Sequence, residues 1–161
     1  MTDARFEDAA DQPLRLAAES AEDLRVMAAL AQDAVGKVGD GVYMPKKRRF
    51  VLQMNRFRWE DKPAADAARR PYERVRAALT LENVSAVRAR GVDAFDREAV
   101  WSLLDIVFDA GEDGAGVVRL VLSGDAEIAV SVEAIDAALT DLTRPWEARA
   151  APRHAADDAE R

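Results

Sequence analysis

Apolar and polar positions alternate with a period of two over most of the chain, and a helical period occurs in only two stretches. In the first stretch Ser20 is a preferred N-cap, Asp23 supplies the acidic half of a capping-box-like pair, and Gly36 is placed to end the helix. The pattern predicts an amphipathic helix that lies on a sheet. Its apolar positions are Leu24, Met27, Ala31 and Ala34.

Strand-like alternation flanks this helix on both sides. Before it, Pro13 to Glu19 alternates, with Leu14, Leu16 and Ala18 on one face. After it, residues 39–41 have turn composition and Pro45 begins the tip of a hairpin.

The next strand contains a change of parity. Phe50, Leu52 and Met54 share one face, whereas Phe57 and Trp59 fall on the other. Two explanations are open: a bulge near residues 55–56 resets the pleat, or the strand is covered on both faces.

Five further alternating runs follow, at residues 75–81, 84–90, 104–108, 118–122 and 128–132. A closing helix is predicted after them, because four apolar residues recur at helical spacing. These residues are Ile135, Ala138, Leu139 and Leu142.

The order of elements predicts an α+β protein with an antiparallel sheet or small barrel of about seven strands. One helix follows the first strand and one lies at the C-terminus, as in pleckstrin-homology-like domains. A flatter curved sheet with both helices on one face is the alternative. Residues 13–147 are expected to form a single globular domain, with disordered segments at residues 1–12 and 148–161.

Composition excludes several kinds of chemistry. The chain has no cysteine and a single histidine, His154, in the predicted C-terminal tail. A disulfide, a thiolate nucleophile, a two-histidine metal site and a Ser/His/Asp triad of ordered residues are therefore excluded. No metal site, cofactor or catalytic residue is predicted. The acidic start is unlike a signal peptide, and no apolar run approaches the roughly 20 residues that span a bilayer. A cytoplasmic location without membrane insertion is expected.

Charge is strongly polarised along the chain. Lys37 to Arg90 holds 14 Lys/Arg and 6 Asp/Glu, a local charge of +8, although the formal net charge of the whole chain is −7. This distribution predicts one cationic surface and an acidic surface elsewhere. General DNA binding is disfavoured, because the sequence pI of 4.8 lies far below the value of about 9 typical of nucleic-acid-binding domains.

Several segments resemble a family of small alphaproteobacterial proteins known as the DUF2948 family. They are LRLAAESAEDLRVMAALAQDAVGKVGD, YMPKKRRFVLQMNRFRWE, VSAVRARGVD and VEAIDAALTDLTRPWEAR. The resemblance spans about Pro13 to Arg149 and implies a bacterial cytoplasmic protein. It supplies no activity, substrate or site residue.

The candidate site is a basic strand face centred on the predicted hairpin. A solvated hairpin tip, whose charges discourage edge-to-edge association of strands, is the competing interpretation. The candidate ligand-binding residues are Lys46, Lys47, Arg48, Arg49, Arg56, Arg58, Arg74, Arg76, Arg88 and Arg90.

The residues favour a non-enzymatic binding or adaptor domain that engages an acidic protein, a phosphorylated ligand or RNA through this face. A structural or self-associating protein, in which the basic face of one copy meets the acidic face of another, is the alternative. An enzyme or enzyme subunit with a carboxylate/arginine site ranks below both.

Overall fold

A computed structural model describes residues 12–152, which contain two α-helices and eleven strands. Helix α1 spans Ala21–Ala31 and helix α2 spans Lys62–Ala68. The predicted disordered ends fall mainly on residues 1–11 and 153–161, which lie outside the described residues, as does His154. The strands are β1 (Arg15–Ala18), β2 (Val35–Lys37), β3 (Gly41–Met44), β4 (Arg49–Phe57), β5 (Glu73–Leu81), β6 (Val84–Arg90), β7 (Val100–Ala110), β8 (Gly116–Leu122), β9 (Ala126–Val132), β10 (Ala137–Asp141) and β11 (Trp146–Glu147).

All strands pair antiparallel in one sheet with the order β1-β10-β5-β4-β2-β7-β8-β9-β6. Strand β3 adds to β4, and β11 adds to β5. The sheet does not close into a barrel, because no pairing joins β1 and β6, the ends of this order, within residues 12–152. The antiparallel α+β class is confirmed, whereas the expected count of about seven strands and the closure of the sheet into a small barrel are wrong.

Helix α1 forms where the sequence predicts it. The Ser20 side chain accepts a hydrogen bond from the Asp23 N–H at 3.1 Å, and the Asp23 carboxylate accepts one from the Glu19 N–H at 3.0 Å. Both bonds satisfy backbone donors at the start of the helix. The apolar face, including Leu24 and Met27, is buried in a single core with residues from both halves of the sheet.

Gly36 has a different role from the predicted helix stop. Helix α1 ends at Ala31, Asp33 takes the left-handed conformation (φ 62°), and Gly36 lies within β2. The indole ring of Trp101 packs on Gly36 so closely that a Cβ there would lie 2.3 Å from the ring. The glycine is required for this close approach rather than for its backbone conformation.

We expect Gly36→Ala to lower the free energy of unfolding by about 1–3 kcal/mol, because the added methyl group displaces the Trp101 ring. Chemical denaturation monitored by tryptophan fluorescence measures this loss. Gly39→Ala is the comparison, because the added methyl group meets only Arg97, an exposed residue, and its backbone. Gly114→Ala is less suitable, since a φ of 84° strains any side chain at that position. Equal losses at the two sites would contradict a special role for the Trp101 contact.

The predicted C-terminal helix is a strand, so this part of the prediction is wrong. Residues 137–141 form β10, in which Ala137 and Leu139 face the core and alternate with partly exposed neighbours. The strand lies between β1 and β5 and pairs with both. A short run rich in Ala and Leu is compatible with both the helical and the strand period. Here the extended form is favoured, because it pairs with the otherwise unpaired backbone groups of β1 and β5.

Helix α2 follows the end of β4, in a segment for which the sequence pattern predicts no helix. Strand β4 keeps a regular register with β5 from Phe50 to Phe57, so no bulge is present there. Phe57 is fully buried on the face opposite Phe50, against the rings of Trp59 and Tyr72. The change of parity therefore reflects a strand covered on both faces at its end.

No helix of the described part of the chain has both the length and the apolar character that crossing a bilayer requires.

Candidate functional site

The basic hairpin predicted from the sequence lies between β3 and β4. Pro45 opens a short 3-10 helix (Pro45–Lys47), for which the proline ring sets a suitable φ. Arg48 ends it in the left-handed conformation, and its N–H donates to the Pro45 carbonyl at 3.1 Å. Lys46 and Lys47 are exposed on this turn, and neither forms an ion pair with a carboxylate of residues 12–152.

The next two cations are already paired within the chain. Arg48 lies 2.7 Å from a carboxylate oxygen of Glu133, and Arg49 pairs with Glu82. All four of these side chains are partly or largely exposed. The two lysines are therefore the part of the hairpin whose charge no carboxylate of the described residues neutralises by direct contact.

Arg56 is fully buried, so it is not part of the predicted basic surface. It occupies the core face of β4, in line with Met54. Its Nε and Nη2 donate to the two carboxylate oxygens of Asp141 at 3.0 Å each, and its Nη1 and Nη2 donate to Glu60 at 2.9 and 2.7 Å. This guanidinium is thus held by two bidentate carboxylates and is not available to a partner at the surface.

Arg58 is also buried, with 4% of its surface exposed, and it extends the same group of charges. Its guanidinium lies 3.3 Å from Glu73 and within 4 Å of Glu60 and Asp61. Arg70 closes the group through two hydrogen bonds to Asp61 of 2.6 and 2.7 Å. Arg56, Arg58 and Asp61 are buried, whereas Arg70 is exposed. We call the whole group the charged cluster: Arg56, Arg58, Glu60, Asp61, Arg70, Glu73 and Asp141.

The cluster favours the ionised form of two of its carboxylates, Glu60 and Asp61. Burial alone would raise the pKa of Glu60, but the hydrogen bonds and charge of Arg56 outweigh it, so this pKa is below its ordinary value. The hydrogen bonds from Arg70 lower the pKa of Asp61 against a smaller opposing effect of burial. Carboxylate pairs that act as general acid and general base have environments that shift their pKa values in opposite directions. Glu60 and Asp61 are both shifted downward, which is typical of a structural ion network rather than an acid–base pair.

A depression of about 410 Å³ lies beside the cluster and is partly lined by Arg58, Asp141, Thr143 and Arg144. Within residues 12–152 no group of three or more Asp, Glu, His or Cys side chains is arranged to hold a metal ion.

The remaining predicted arginines lie on different strands. On β5, Arg74 lies over the Phe57 ring and donates to the Asn55 carbonyl, and burial lowers its pKa. Arg76 on the same strand donates to Asp40 at 3.0 Å.

On β6, which pairs with β9 at the other end of the sheet order, Arg90 lies 3.7 Å from Glu127. Arg88 on the same strand is exposed, and no ion pair links it to a carboxylate within residues 12–152. The structure does not gather the ten predicted residues into one cationic face, because two are buried and six in total are paired with carboxylates of the chain.

A feature that the sequence interpretation missed is a groove between α1 and β7. It has a volume of about 490 Å³ and runs between one face of the helix and the strand segment Leu104–Phe108. We call it the α1–β7 groove. A partial signal was present in the sequence, because Ala21, Ala28 and Ala29 form a second stripe of small residues along α1 at helical spacing.

These observations define an antiparallel α+β protein that has an exposed β3–β4 hairpin with two lysines, here called the lysine hairpin, and a groove between α1 and β7. The sequence model of one family matches residues 14–154, and that family is described as "Protein of unknown function (DUF2948)". The match covers most of the chain, so the chain belongs to the DUF2948 family. No curated protein sequence and no solved structure matches it.

Proposed function

We propose that this protein is a non-enzymatic binding or adaptor domain that engages an acidic segment of a partner protein through its β3–β4 hairpin. The observation that supports this proposal is the exposed pair Lys46–Lys47, whose charges no carboxylate of residues 12–152 contacts. Adjacent cations on a fixed turn attract an anionic partner and orient it. Because the backbone of the turn is already ordered, binding need not order it. The cytoplasmic location inferred from the sequence stays a prediction.

The unpaired cationic surface of the hairpin is only two residues long, which favours an acidic protein over RNA as the partner. Single-stranded RNA binding needs a cationic groove that follows several phosphates, together with aromatic rings on which bases stack. Among the aromatic residues of this region, Tyr43 is partly buried against the core, Phe57 is fully buried, and Trp59 donates its indole N–H to the Gln32 carbonyl. The hairpin alone matches a few carboxylates or one phosphate group.

The two lysines are tested by charge reversal. We expect Lys46→Glu/Lys47→Glu to abolish binding to acidic 12-residue peptides, while each exposed charge changes the free energy of unfolding by at most about 1 kcal/mol. The probes are synthetic peptides rich in Glu, the same peptides with Gln in place of Glu, a phosphoserine peptide and a 12-nucleotide RNA. Fluorescence anisotropy at several salt concentrations measures affinity, and thermal unfolding measures stability.

The matched control is Arg144→Glu/Arg149→Glu, which makes the same change in net charge at two exposed arginines of another region. Equal binding by wild type and the lysine variant would overturn the proposal. Preference for RNA or for the phosphoserine peptide would replace the acidic protein by that ligand. A concentration-dependent dimer that the lysine variant loses would instead favour self-association.

A further inference from the structure

Strand β7 has an unpaired edge over its second half. Strand β8 pairs with one side of β7 from Leu103 to Ala110, whereas β2 pairs with the other side only from Val100 to Ser102. At Leu103 the pairing ends: its carbonyl accepts from Asp33 and its N–H donates to Ala34, both at 2.8 Å. From Leu104 to Ala110 no strand of residues 12–152 pairs with this side.

Backbone groups of β7 point into the α1–β7 groove at this edge. The N–H of Ile106 donates to the side chain of Asp105 at 2.8 Å, so it is directed away from β8. Since alternate residues of a strand direct their N–H and C=O groups to the same side, Phe108 presents its backbone to the groove as well. An exposed edge of this kind is a template for an added strand.

The opposite wall of the groove is suited to a close approach. Ala21, Ala28 and Ala29 present only methyl groups, and Gln32 lies at the far end. The volume of about 490 Å³ lies within the range of about 300–1,000 Å³ found for ligand sites. An extended backbone fits between a helix and a strand edge when the helix side chains are small, as in domains that bind peptides by strand addition.

Charge indicates what the occupant carries. Arg25 lines the helix side of the groove, is exposed, and has no carboxylate within ion-pair distance among residues 12–152. Asp105 lies on the strand side and disfavours a second carboxylate there. A complementary strand therefore has an acidic side chain towards α1 and uncharged side chains towards Asp105.

We infer that the α1–β7 groove takes up an extended segment of a partner protein as an additional strand on β7, with a carboxylate of that segment paired to Arg25. This site is separate from the lysine hairpin and goes beyond the proposed function. In the free protein the Asp105 carboxylate accepts a hydrogen bond from the Ile106 N–H, which protects this strand edge from pairing with other strands. A carbonyl of the incoming strand replaces that carboxylate, so Asp105 competes with the ligand.

Random 12-residue peptides displayed on phage are the probe for this site, selected on the purified full-length chain. We expect the enriched peptides to share an acidic residue at a fixed position. A synthetic copy of the strongest peptide is then titrated against variants. Ala29→Trp fills the groove and weakens binding at least about tenfold, and Arg25→Glu weakens it about tenfold through repulsion. Asp105→Ala strengthens it a few-fold by removing the competing carboxylate.

The matched control is Val26→Trp, the same residue introduced on an exposed face of α1 that does not line the groove. Its affinity stays within about twofold of wild type. Hydrogen exchange read by NMR reports the backbone pairing, and the amides of Ile106 and Phe108 become protected when the peptide is present. The lysine variant Lys46→Glu/Lys47→Glu keeps full affinity for this peptide, which separates failure of the groove from failure of the hairpin.

Three results would overturn the inference. Selection on the chain that enriches nothing beyond selection on an empty support is the first. The second is that neither Ala29→Trp nor Val26→Trp changes the affinity for the selected peptide. The third is a dimer in sedimentation experiments that Ala29→Trp dissociates, since a second copy of the chain then occupies the edge.

Discussion

Replacing Arg56 by Met lowers the free energy of unfolding by about 3–5 kcal/mol, the loss typical of removing one partner of a buried ion pair. The methionine side chain fills much of the same space, so the loss is electrostatic rather than a cavity effect. Asp141 and Glu60 each lose both hydrogen bonds from the guanidinium. Urea denaturation at pH 7 measures the change, and Arg49→Met, which removes an arginine from a partly exposed pair, changes stability by about 1 kcal/mol or less.

The deficit of Arg56→Met also depends on pH. In the wild type the pKa of Glu60 lies below its ordinary value of 4.5, so Glu60 stabilises the fold above that pH and loses this contribution as pH falls through the lowered pKa. In the variant, burial still raises the pKa of Glu60, but Arg56 is no longer present to lower it. The pKa of Glu60 therefore rises, and the carboxyl group accepts a proton more readily. We expect the difference in stability between the two proteins to shrink between pH 7 and pH 4. A difference that stays constant over this range would show that the loss is not electrostatic.

Phe57→Ala is expected to cost about 3–5 kcal/mol, because the ring is fully buried between the sheet and the aromatic residues that cover it. Its centroid lies 4.6 Å from that of Trp59 and 5.6 Å from that of Tyr72 in edge-to-face geometry. Removing it opens a cavity beside the rings of Trp59 and Tyr72 and also removes the contact with Arg74. Thermal unfolding measured by circular dichroism reports the loss.

The chain offers a matched control for this substitution in Phe95, which is 96% exposed on a turn. Phe95→Ala is expected to change the free energy of unfolding by no more than about 0.5 kcal/mol. Similar melting temperatures for the two alanine variants would contradict the packing described for the end of β4.

Local signals in the sequence predicted the first half of the fold well. The cap at Ser20 and the spacing of Leu24 and Met27 identified helix α1 because these effects act within one or two turns. Alternation at Phe50, Leu52 and Met54 identified the core face of β4 for the same reason. That alternation, continued by one more step, also places Arg56 on the core face. The burial of this arginine was thus readable from parity, whereas its carboxylate partner Asp141, 85 residues away, was not.

Other features depend on contacts between distant segments. The segment that forms β10 has a helical pattern of its own, and only the neighbouring strands β1 and β5 make the extended form the better one. The α1–β7 groove exists because β2 is three residues long and β7 eleven. No property of either segment alone sets that difference, so the unpaired edge could not be predicted from the sequence pattern.

Strand β10 also determines when the sheet can be completed during synthesis. It fills the space between β1 and β5, although it follows them in the chain by many residues. At about 5–20 residues per second, translation leaves β1 without its partner for roughly 6–24 s after it has been made. During this interval the edge of β1 is open to other nascent chains or to chaperones, and the edge of β5 is open from the time that β5 is made. Folding of this protein therefore waits for one of its last strands, and a chain interrupted before Ala137 is expected to be prone to aggregation.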